Sequence, residues 1–294
     1  MRKKEGARKM DESVESIQKF GGDWTRTKLN IFTEYLNSYL TALKHQSFRK
    51  IYIDAFAGTG EIEVCDGTQR LVGSAKIALD AEQKFDEYYF IEKDPTKEKE
   101  LEKLVCTYPW WLQERVHIVC GDAAIKLKEI IQHIDWTSSR GLLFLDPYAT
   151  QVHWGMLQCI AATNSIDVWY LFPYHAMNRM LTRNKDALVC EKRLDLLFGD
   201  TSWRTEFYKE SPEMSLFAAA DDSEEVKQVK LPDIESYLLN RLKNTFAKVS
   251  PCPRVFRNSK NSPMFIFFFS ISNRNPKAWG LALRMANYIL KKAE

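Results

Sequence analysis

Acidic side chains follow four successive apolar segments in the first half of the chain. They are Asp54, Glu92, Asp122 and Asp146. Carboxylates at strand ends can bind hydroxyl, amino or cationic groups, and open α/β proteins bind ligands at the carboxyl ends of their parallel strands. Each residue alone is explained more simply, Glu92 as a solvated carboxylate at a strand end and the others as part of a turn or as a helix cap. Packing does not explain the whole series, so we expect these residues to form one ligand site.

Two glycines follow the first of these carboxylates, in the segment Asp54–Gly60 with the sequence DAFAGTG. Glycine at Gly58 and Gly60 lets the backbone approach a ligand closely and adopt a positive φ. Two glycines after a strand are often only a turn, but the carboxylate beside them is informative. A dinucleotide site of the GxGxxG kind would place a negatively charged pyrophosphate against Asp54. The segment therefore favours a ligand with a cationic or neutral end and disfavours a nicotinamide oxidoreductase.

The next two carboxylates suit the nucleoside part of a ligand. Glu92 ends an apolar run, where a carboxylate can accept both hydroxyls of a ribose, and Asp94 competes for the same role. The distance from Asp54 exceeds the ~20 residues of a compact dinucleotide unit, so the sequence predicts an insertion around 61–70. Asp122 can accept a hydrogen bond from an adenine amino group, and it can also cap the helix that follows it.

The fourth carboxylate stands in the tripeptide Asp146-Pro147-Tyr148, directly after a very apolar segment. A carboxylate and a backbone carbonyl can hold an exocyclic amine at such a position, while an aromatic ring stacks on the base that carries the amine. Without a ligand, the same residues are a turn after a buried strand. This tripeptide is the candidate for the reaction itself.

Other side chains near the expected edge have two interpretations each. Trp24, Arg26 and Lys28 begin the first predicted helix, where they could cover a cofactor, grip an anionic substrate or anchor the helix on the sheet. His153 and His175 stand near the same edge and could relay protons. A structural hydrogen bond is the simpler interpretation of each histidine.

Apolar strands alternate with amphipathic helices over most of the chain, which predicts a mostly parallel sheet with helices on both faces. Strands are predicted at 50–56, 88–91, 116–120, 142–145, 167–172, 247–257 and 264–272, and the last two form a hairpin. Helices are predicted at 25–44, 74–84, 97–104, 123–131, 156–162, 234–246 and 278–292, with a helical stretch at 176–209 that contains a turn at Gly199-Asp200.

The domain organisation predicted from this pattern is simple. Residues 1–22 are expected to form a flexible N-terminal tail, because they carry scattered charge and end in two glycines. Residues 23–294 are expected to form one domain with a helical insertion at about 176–246. Within that insertion the acidic segment 211–230 is predicted to be a surface loop.

Composition narrows the class of protein further. The 42 basic and 39 acidic residues give a net charge of +3, which is unlike a protein that coats nucleic acid. The six cysteines form no CxxC pair, so neither a zinc site nor a disulfide framework is expected, and we expect no metal. We expect no signal peptide, because Asp11 and Glu12 rather than an apolar run follow the basic start. No run reaches the ~20 apolar residues that a membrane helix needs. We therefore expect a cytoplasmic protein that does not enter the membrane.

The four acidic strand ends together resemble motifs one to four of class I S-adenosylmethionine-dependent methyltransferases. The resemblance implies a Rossmann-like fold with a seven-stranded sheet, its last strand antiparallel, and S-adenosylmethionine as cofactor. It implies that the loop with Asp54, Phe56, Ala57, Gly58 and Gly60 lies against the amino acid part of the cofactor. The matches of Glu92, Asp122 and Ala123 would bind its ribose and adenine, and the match of Asp146 would lie nearest the reaction.

A closer resemblance covers most of the chain through Gly21–Leu29, Ile51–Gly60 and Phe144–Trp154. These segments are similar to the bacterial three-Cys-motif partner family, whose genes lie beside one that encodes a protein with a radical-enzyme-like motif of three cysteines. The resemblance implies such a protein as a genetic partner and as a candidate physical partner. The spaced cysteines of this chain do not form that motif, so any iron–sulfur cluster would belong to the partner.

Two functions from different classes are consistent with these observations. The first is a methyltransferase that positions an amine of a nucleobase or nucleotide-like substrate. Methyltransferases that act on adenine usually have two prolines before the aromatic residue, whereas Tyr148 follows a single proline. The second is a non-catalytic or cofactor-binding partner subunit of the three-cysteine protein. Its interface could be an exposed aromatic patch at Trp110-Trp111 or at Trp203.

Overall fold

The structure is a computed structural model that describes residues 23–63, 70–210 and 225–293. Its strands are β1 (Arg49–Asp54), β2 (Glu61–Glu63), β3 (Arg70–Val72), β4 (Glu87–Glu92), β5 (Val116–Cys120), β6 (Ser139–Leu145), β7 (Ile166–Phe172), β8 (Tyr208–Glu210), β9 (Glu225–Lys227), β10 (Lys248–Val249), β11 (Arg254–Arg257) and β12 (Pro263–Ile271). Its helices are α1 (Asp23–Ala42), α2 (Ser74–Asp80), α3 (Pro95–Val105), α4 (Trp110–Gln113), α5 (Ala123–His133), α6 (Trp154–Ala162), α7 (Tyr174–Met180), α8 (Glu191–Phe198), α9 (Ser202–Phe207), α10 (Leu231–Thr245) and α11 (Pro276–Lys292), with a short 3₁₀ helix at Lys185–Ala187.

The main sheet has the strand order β10-β12-β7-β6-β1-β4-β5, with β11 also paired to β12. Strands β1, β4, β5, β6 and β7 are parallel, and β12 is antiparallel to β7. Because β10 and β11 pair with successive parts of β12, the eight strands occupy seven positions. The α/β fold with a mostly parallel sheet and an antiparallel closing strand is confirmed.

Burial explains why the central strands are such apolar runs. Every residue of β7, and every residue of β6 except Arg140, is buried, because helices cover both faces of a doubly wound sheet. Helices α1, α2, α3 and α11 pack on one face. Helices α5, α6, α8, α9 and α10 pack on the other. Strand β5 lies at the edge of the sheet and has exposed residues at both His117 and Cys120.

The chain reverses its direction of travel across the sheet at β1. It runs outward from β1 through β4 to β5 and then returns to build β6 and β7 on the other side of β1. Asp54 pairs in register with Phe90 of β4 and with Phe144 of β6. The carboxyl ends of β1 and β6 therefore border the switch point, which is where folds of this kind open a ligand crevice.

The first helix was predicted in the correct place. Helix α1 spans Asp23–Ala42, and its stripe of Phe32, Leu36 and Leu40 is buried against the sheet. The predicted insertion around 61–70 contains a small hairpin, since β2 pairs antiparallel with β3. No helix in the described part of the chain is both long and apolar enough to cross a membrane.

The predicted helical stretch at 176–209 is several shorter elements. Helices α7, α8 and α9 are separated by turns, and β8 then pairs with β9 in a two-stranded sheet. The predicted turn at Gly199-Asp200 is confirmed, because Gly199 ends α8 at φ 83°. The predicted loop at 211–230 contains the strand β9, and α10 begins directly after it at Leu231. Its segment 211–224 lies outside the described residues, as does the predicted tail 1–22.

The prediction of an exposed patch at Trp203 was wrong. Its side chain is 0% exposed, because α9 packs on α8 and encloses the ring beside Phe198 and Phe207. The indole N–H donates a hydrogen bond to Asp195 Oδ1 at 2.9 Å. Trp203 is a core residue of the helical insertion, whereas Trp110 is 70% exposed, as predicted.

Candidate functional site

A cleft of about 540 Å³ opens at the carboxyl edge of the sheet beside the switch point. Ten of the eleven predicted site residues line it, namely Phe56, Ala57, Gly58, Gly60, Glu92, Asp122, Ala123, Asp146, Pro147 and Tyr148. The eleventh, Asp54, is fully buried behind the lining. The parallel strands therefore bring together residues that are up to about ninety positions apart in the sequence.

Asp54 organises the loop from below the cleft floor. Its carboxylate accepts hydrogen bonds from the Tyr52 hydroxyl and the Phe56 backbone N–H, each at 3.2 Å. Burial raises the pKa of Asp54 to about 6, and the nearby charge of Asp146 adds to this effect. The Ser74 hydroxyl, the Phe56 amide and Tyr52 act in the opposite direction, because their hydrogen bonds favour the ionised form.

The two glycines of the loop serve different purposes. Gly58 has φ 60°, and a Cβ atom placed on it would meet nothing within 4 Å, so this turn faces open space and needs glycine for its backbone conformation. Gly60 has φ 78°, and a Cβ atom there would lie 2.3 Å from Leu104 Cδ2. Gly58 is therefore suited to close approach by a ligand, and Gly60 to close packing on α3.

Glu92 joins the end of β4 to the loop after β1. Its Oε2 atom accepts a hydrogen bond from Gly58 N at 2.9 Å, and its Oε1 atom accepts from Lys93 N and Asp94 N. Since a carboxylate oxygen has two lone pairs, Oε2 can also accept from a ligand hydroxyl. Asp94, the competing residue, caps α3 through Thr96 N and does not line the cleft.

Asp122 caps a helix and lines the cleft at the same time. Its Oδ1 atom accepts a hydrogen bond from Ala124 N at 3.0 Å, and its Oδ2 atom lies 3.3 Å from Lys93 Nζ. Partial burial acts to raise the pKa of Asp122, but the Ala124 amide and Lys93 outweigh it and lower the pKa. Asp122 is therefore an ionised acceptor at neutral pH.

Asp146 forms an ion pair with Lys28 of α1. Lys28 is only 3% exposed, and its ammonium lies 5.4 Å from the centre of the Trp24 ring and 6.0 Å from that of Phe144. Both Trp24 and Lys28 line the cleft, and Trp24 stacks on Phe265 with ring centres 4.9 Å apart. Of the interpretations that the sequence left open for Lys28, anchoring the helix on the sheet is the one the contacts support.

The pairing of Lys28 has a sequence signal that our prediction did not use. Lys28 precedes Phe32 by one helical turn and therefore lies on the buried stripe of α1. A lysine at such a position needs a carboxylate partner, because an unpaired buried ammonium is costly. Arg26 is exposed and lies outside the cleft.

The loop after β6 forms the outer rim of the cleft. Pro147 is buried and Tyr148 is 72% exposed. The backbone N–H of Tyr148 donates a hydrogen bond to Gln151 Oε1 at 3.2 Å. The nearby Thr150 hydroxyl accepts a hydrogen bond from Arg193 Nε at 2.7 Å. The two histidines named above, His153 and His175, do not line this cleft.

The chain has low similarity to proteins of known structure. The match with protein LPL1258 from Legionella pneumophila covers 89% of this chain and 91% of that protein, with 14% identity and a TM-score of 0.47. Against a glycopeptide N-methyltransferase, MtfA, solved with S-adenosyl-L-methionine, the shares are 81% and 93%, with 11% identity and a TM-score of 0.35. Against the methyltransferase domain of a bacterial CtHen1 they are 82% and 100%, with 9% identity and a TM-score of 0.36.

These similarities are too low to transfer a function to this chain. No protein-family model and no curated protein matches the sequence. The function must therefore be argued from the geometry of the cleft.

Replacing Asp54 by Asn should change how stability depends on pH. The folded chain holds the Asp54 proton more tightly, with a pKa of about 6 against ~3.9 when unfolded. Wild-type stability is therefore lost as pH rises through this window, and Asp54→Asn avoids the loss. The unfolding free energy of Asp54→Asn minus that of the wild type should therefore increase by about 2 kcal/mol between about pH 4 and pH 7.

Urea denaturation at several pH values measures this shift. Asp200→Asn is the control. Burial acts to raise the pKa of Asp200, but the hydrogen bonds from Ser202 and Arg241 outweigh it, so the pKa is lowered. The difference in unfolding free energy between Asp200→Asn and the wild type should therefore not change with pH above about pH 5. A flat difference for Asp54→Asn would contradict the assignment of this carboxyl as buried and protonated near pH 6.

The ion pair between Lys28 and Asp146 should appear as a coupling energy. Asp146→Asn leaves the buried ammonium of Lys28 without its charged partner, and Lys28→Met leaves the partly exposed Asp146 without its cation. The double variant removes both charges. We expect a double-mutant cycle of unfolding free energies to give a coupling of about 0.5–3 kcal/mol. The exposed pair Lys126–Glu129 is the control, with an expected coupling of only about 0.2–0.5 kcal/mol. Additive effects at Lys28 and Asp146 would contradict a direct interaction.

Proposed function

We propose that this chain is an S-adenosylmethionine-dependent methyltransferase whose cofactor binds in the cleft between the ends of β1, β4 and β6. One observation carries the proposal. The Gly58 turn, Glu92 and Asp122 come from three successive strand ends and line a single cleft with Asp146. This combination of a glycine turn and carboxylate acceptors suits a nucleoside joined to a cationic amino acid chain.

The residues present fit the cofactor part by part. Glu92 has acceptor capacity left on Oε2 for a ribose hydroxyl while it holds Gly58 N. Asp122 offers an ionised acceptor to an adenine amino group, and Ala123 beside it is small. The Gly58 turn, with Phe56 and Ala57, borders the space for the amino acid part. The bound cofactor supplies an electrophilic methyl group on a sulfonium centre.

Charge in the inner cleft also suits a cationic cofactor. Asp146 is close enough to Asp54 for its charge to raise the pKa of Asp54. A positive group placed near them relieves this repulsion and stabilises the ionised form of Asp54. A pyrophosphate at the same place would increase the repulsion. The inner cleft therefore selects against dinucleotides.

We assign the acceptor position to Asp146, Pro147 and Tyr148. Lys28 fixes the orientation of the Asp146 carboxylate, which then accepts a hydrogen bond from an N–H of the acceptor amine and holds the nitrogen lone pair in line for attack. Tyr148 lies at the exposed rim, where its ring can cover a base. The proposed substrate is an amine of a nucleobase or of a nucleotide-like compound.

Positive charge at the rim supports a substrate with phosphate. Lys93 and Lys97 line the cleft and are exposed. Arg193 is also exposed and is tied to Thr150, two residues from Tyr148. Such side chains position a phosphate without reading sequence.

We assign residues 23–294 to one methyltransferase-like domain, with 176–246 as its insertion.

The buried ammonium of Lys28 favours a second candidate, a hydroxyl acceptor. An ammonium beside the acceptor position stabilises the negative charge that develops on a hydroxyl oxygen, whereas it gives no such benefit to a neutral amine. In that case the Asp146 carboxylate can take up the proton that the hydroxyl group loses. The two candidates share the cofactor cleft and differ in the atom that is methylated.

Methyl transfer from isotope-labelled S-adenosylmethionine to RNA, DNA and free nucleosides tests the proposal. We expect labelled nucleic acid or nucleoside, and a loss of about 10²-fold in rate for Asp146→Ala, because the acceptor is no longer positioned. Asp94→Asn is the control, since Asp94 caps α3 outside the cleft.

Mass spectrometry of the digested product identifies the methylated atom. An N-methylated base supports the amine acceptor, and an O-methylated ribose supports the hydroxyl acceptor. No label above that of heat-denatured protein, or equal activity in Asp146→Ala, would contradict the proposal.

A further inference from the structure

A second cavity of about 370 Å³ lies at the opposite edge of the sheet from the cleft, where β6 and β7 begin. It is bounded by the last turns of α1, the first turns of α11 and the loop that follows β12. Small-molecule sites commonly have volumes of ~300–1,000 Å³. The cavity therefore has room for one small ring system.

Three polar side chains line the inner part of this cavity. Asp167 accepts a hydrogen bond from the Tyr35 hydroxyl at 2.7 Å, and Arg140 donates to Ser165 Oγ at 3.3 Å. Burial raises the pKa of Tyr39, and the charge of Asp167 raises it further, while that of Arg140 lowers it. Tyr39, Asp167 and Arg140 are therefore close neighbours around the same space.

The Tyr39 hydroxyl is the observation that points to a ligand. The Tyr39 side chain is only 6% exposed, and within the described ranges its oxygen atom is buried without a hydrogen-bond partner. Buried polar groups in native proteins are normally paired, because an unpaired one is costly. A ligand acceptor in the cavity would satisfy this donor.

The remaining walls are partly apolar and partly polar. The Arg140 guanidinium lies 3.7 Å from the centre of the Phe48 ring, which makes one wall planar and suits a flat ligand. The apolar residues of the lining include Leu43, Ile271, Leu281, Ala282 and Met285, and polar side chains such as Gln46, Asn273 and Lys277 lie among them. Leu281 is partly exposed and stands at the mouth.

Side chains of both signs line the cavity, which suits a neutral ligand that has both a donor and an acceptor. An anion would face Asp167, and a cation would face Arg140 and Lys277. Burial also raises the pKa of Asp167 to about 7, so this carboxyl does not hold a cation firmly near neutral pH. Asp167 retains an acceptor position beside the donor of Tyr39. The matching ligand is neutral and carries a donor next to an acceptor.

We propose that this cavity is a second binding site, for a small uncharged planar compound with adjacent N–H and C=O groups of the kind that nucleobases present. The carbonyl accepts from the Tyr39 hydroxyl, and the N–H donates to Asp167. The site is separate from the cofactor cleft and does not depend on the proposed methyl transfer.

Ligand-observed NMR titration of the full chain with uracil and with hypoxanthine tests this site. We expect binding of at least one base, weakened by at least about tenfold in Tyr39→Phe, which keeps the ring and removes the unpaired hydroxyl. Tyr288→Phe, at an exposed tyrosine of α11, should bind as wild type does. Saturating S-adenosylhomocysteine should not displace the base, because the cleft is at the other edge.

Two further comparisons make the test independent of how one variant folds. Leu281→Trp should block the mouth and weaken binding, and benzoate and benzylamine should bind more weakly than the neutral bases. The proposal is overturned if neither base binds. It is also overturned if Tyr39→Phe and Leu281→Trp, both folded by circular dichroism, bind as wild type does, or if S-adenosylhomocysteine competes.

Discussion

The ion pair between Lys28 and Asp146 ties the first helix to the centre of the sheet. Lys28 is buried, so its ammonium depends on this carboxylate, and Asp146 stands at the end of β6 beside the switch point. The same contact closes one side of the cleft with Trp24 and orients the carboxylate that we assign to the acceptor. Removing Asp146 would leave the buried ammonium of Lys28 without a partner, which is costly. Stability and the geometry of the acceptor position therefore rest on one interaction.

The parallel sheet imposes the remaining geometry of the cleft. Strands β1, β4 and β5 all end at one edge, so the Gly58 turn, Glu92 and Asp122 meet there although long helical segments separate them. Glu92 also holds the Gly58 N–H, and Asp122 also caps α5. These contacts fix the carboxylates without a ligand. Such preorganisation lowers the cost of binding.

Much of this fold could be predicted because buried parallel strands are continuous apolar runs, as in Leu142–Leu145. The acidic strand ends could be predicted for the same reason, since they directly follow such runs. The position of Lys28 on the buried stripe of α1 indicates that it needs a carboxylate partner, but the sequence does not identify Asp146 as that partner, because 118 positions separate the two residues. The burial of Trp203 and of Asp54 also depends on tertiary packing, and local sequence pattern carries no record of it. The helical stretch at 176–209 and its turn at Gly199-Asp200 were predicted, whereas its other breaks were not.

The most direct test of the central claim is calorimetric titration of the purified chain with S-adenosylmethionine. The account predicts binding with a Kd of the order of micromolar, or about −8 kcal/mol, which Glu92→Ala weakens strongly because it loses the ribose acceptor and the tie to Gly58. Glu98→Ala, in the first turn of α3 and outside the cleft, should bind as wild type does. No binding by a folded sample, or equal binding by Glu92→Ala, would contradict the assignment of this cleft to the cofactor.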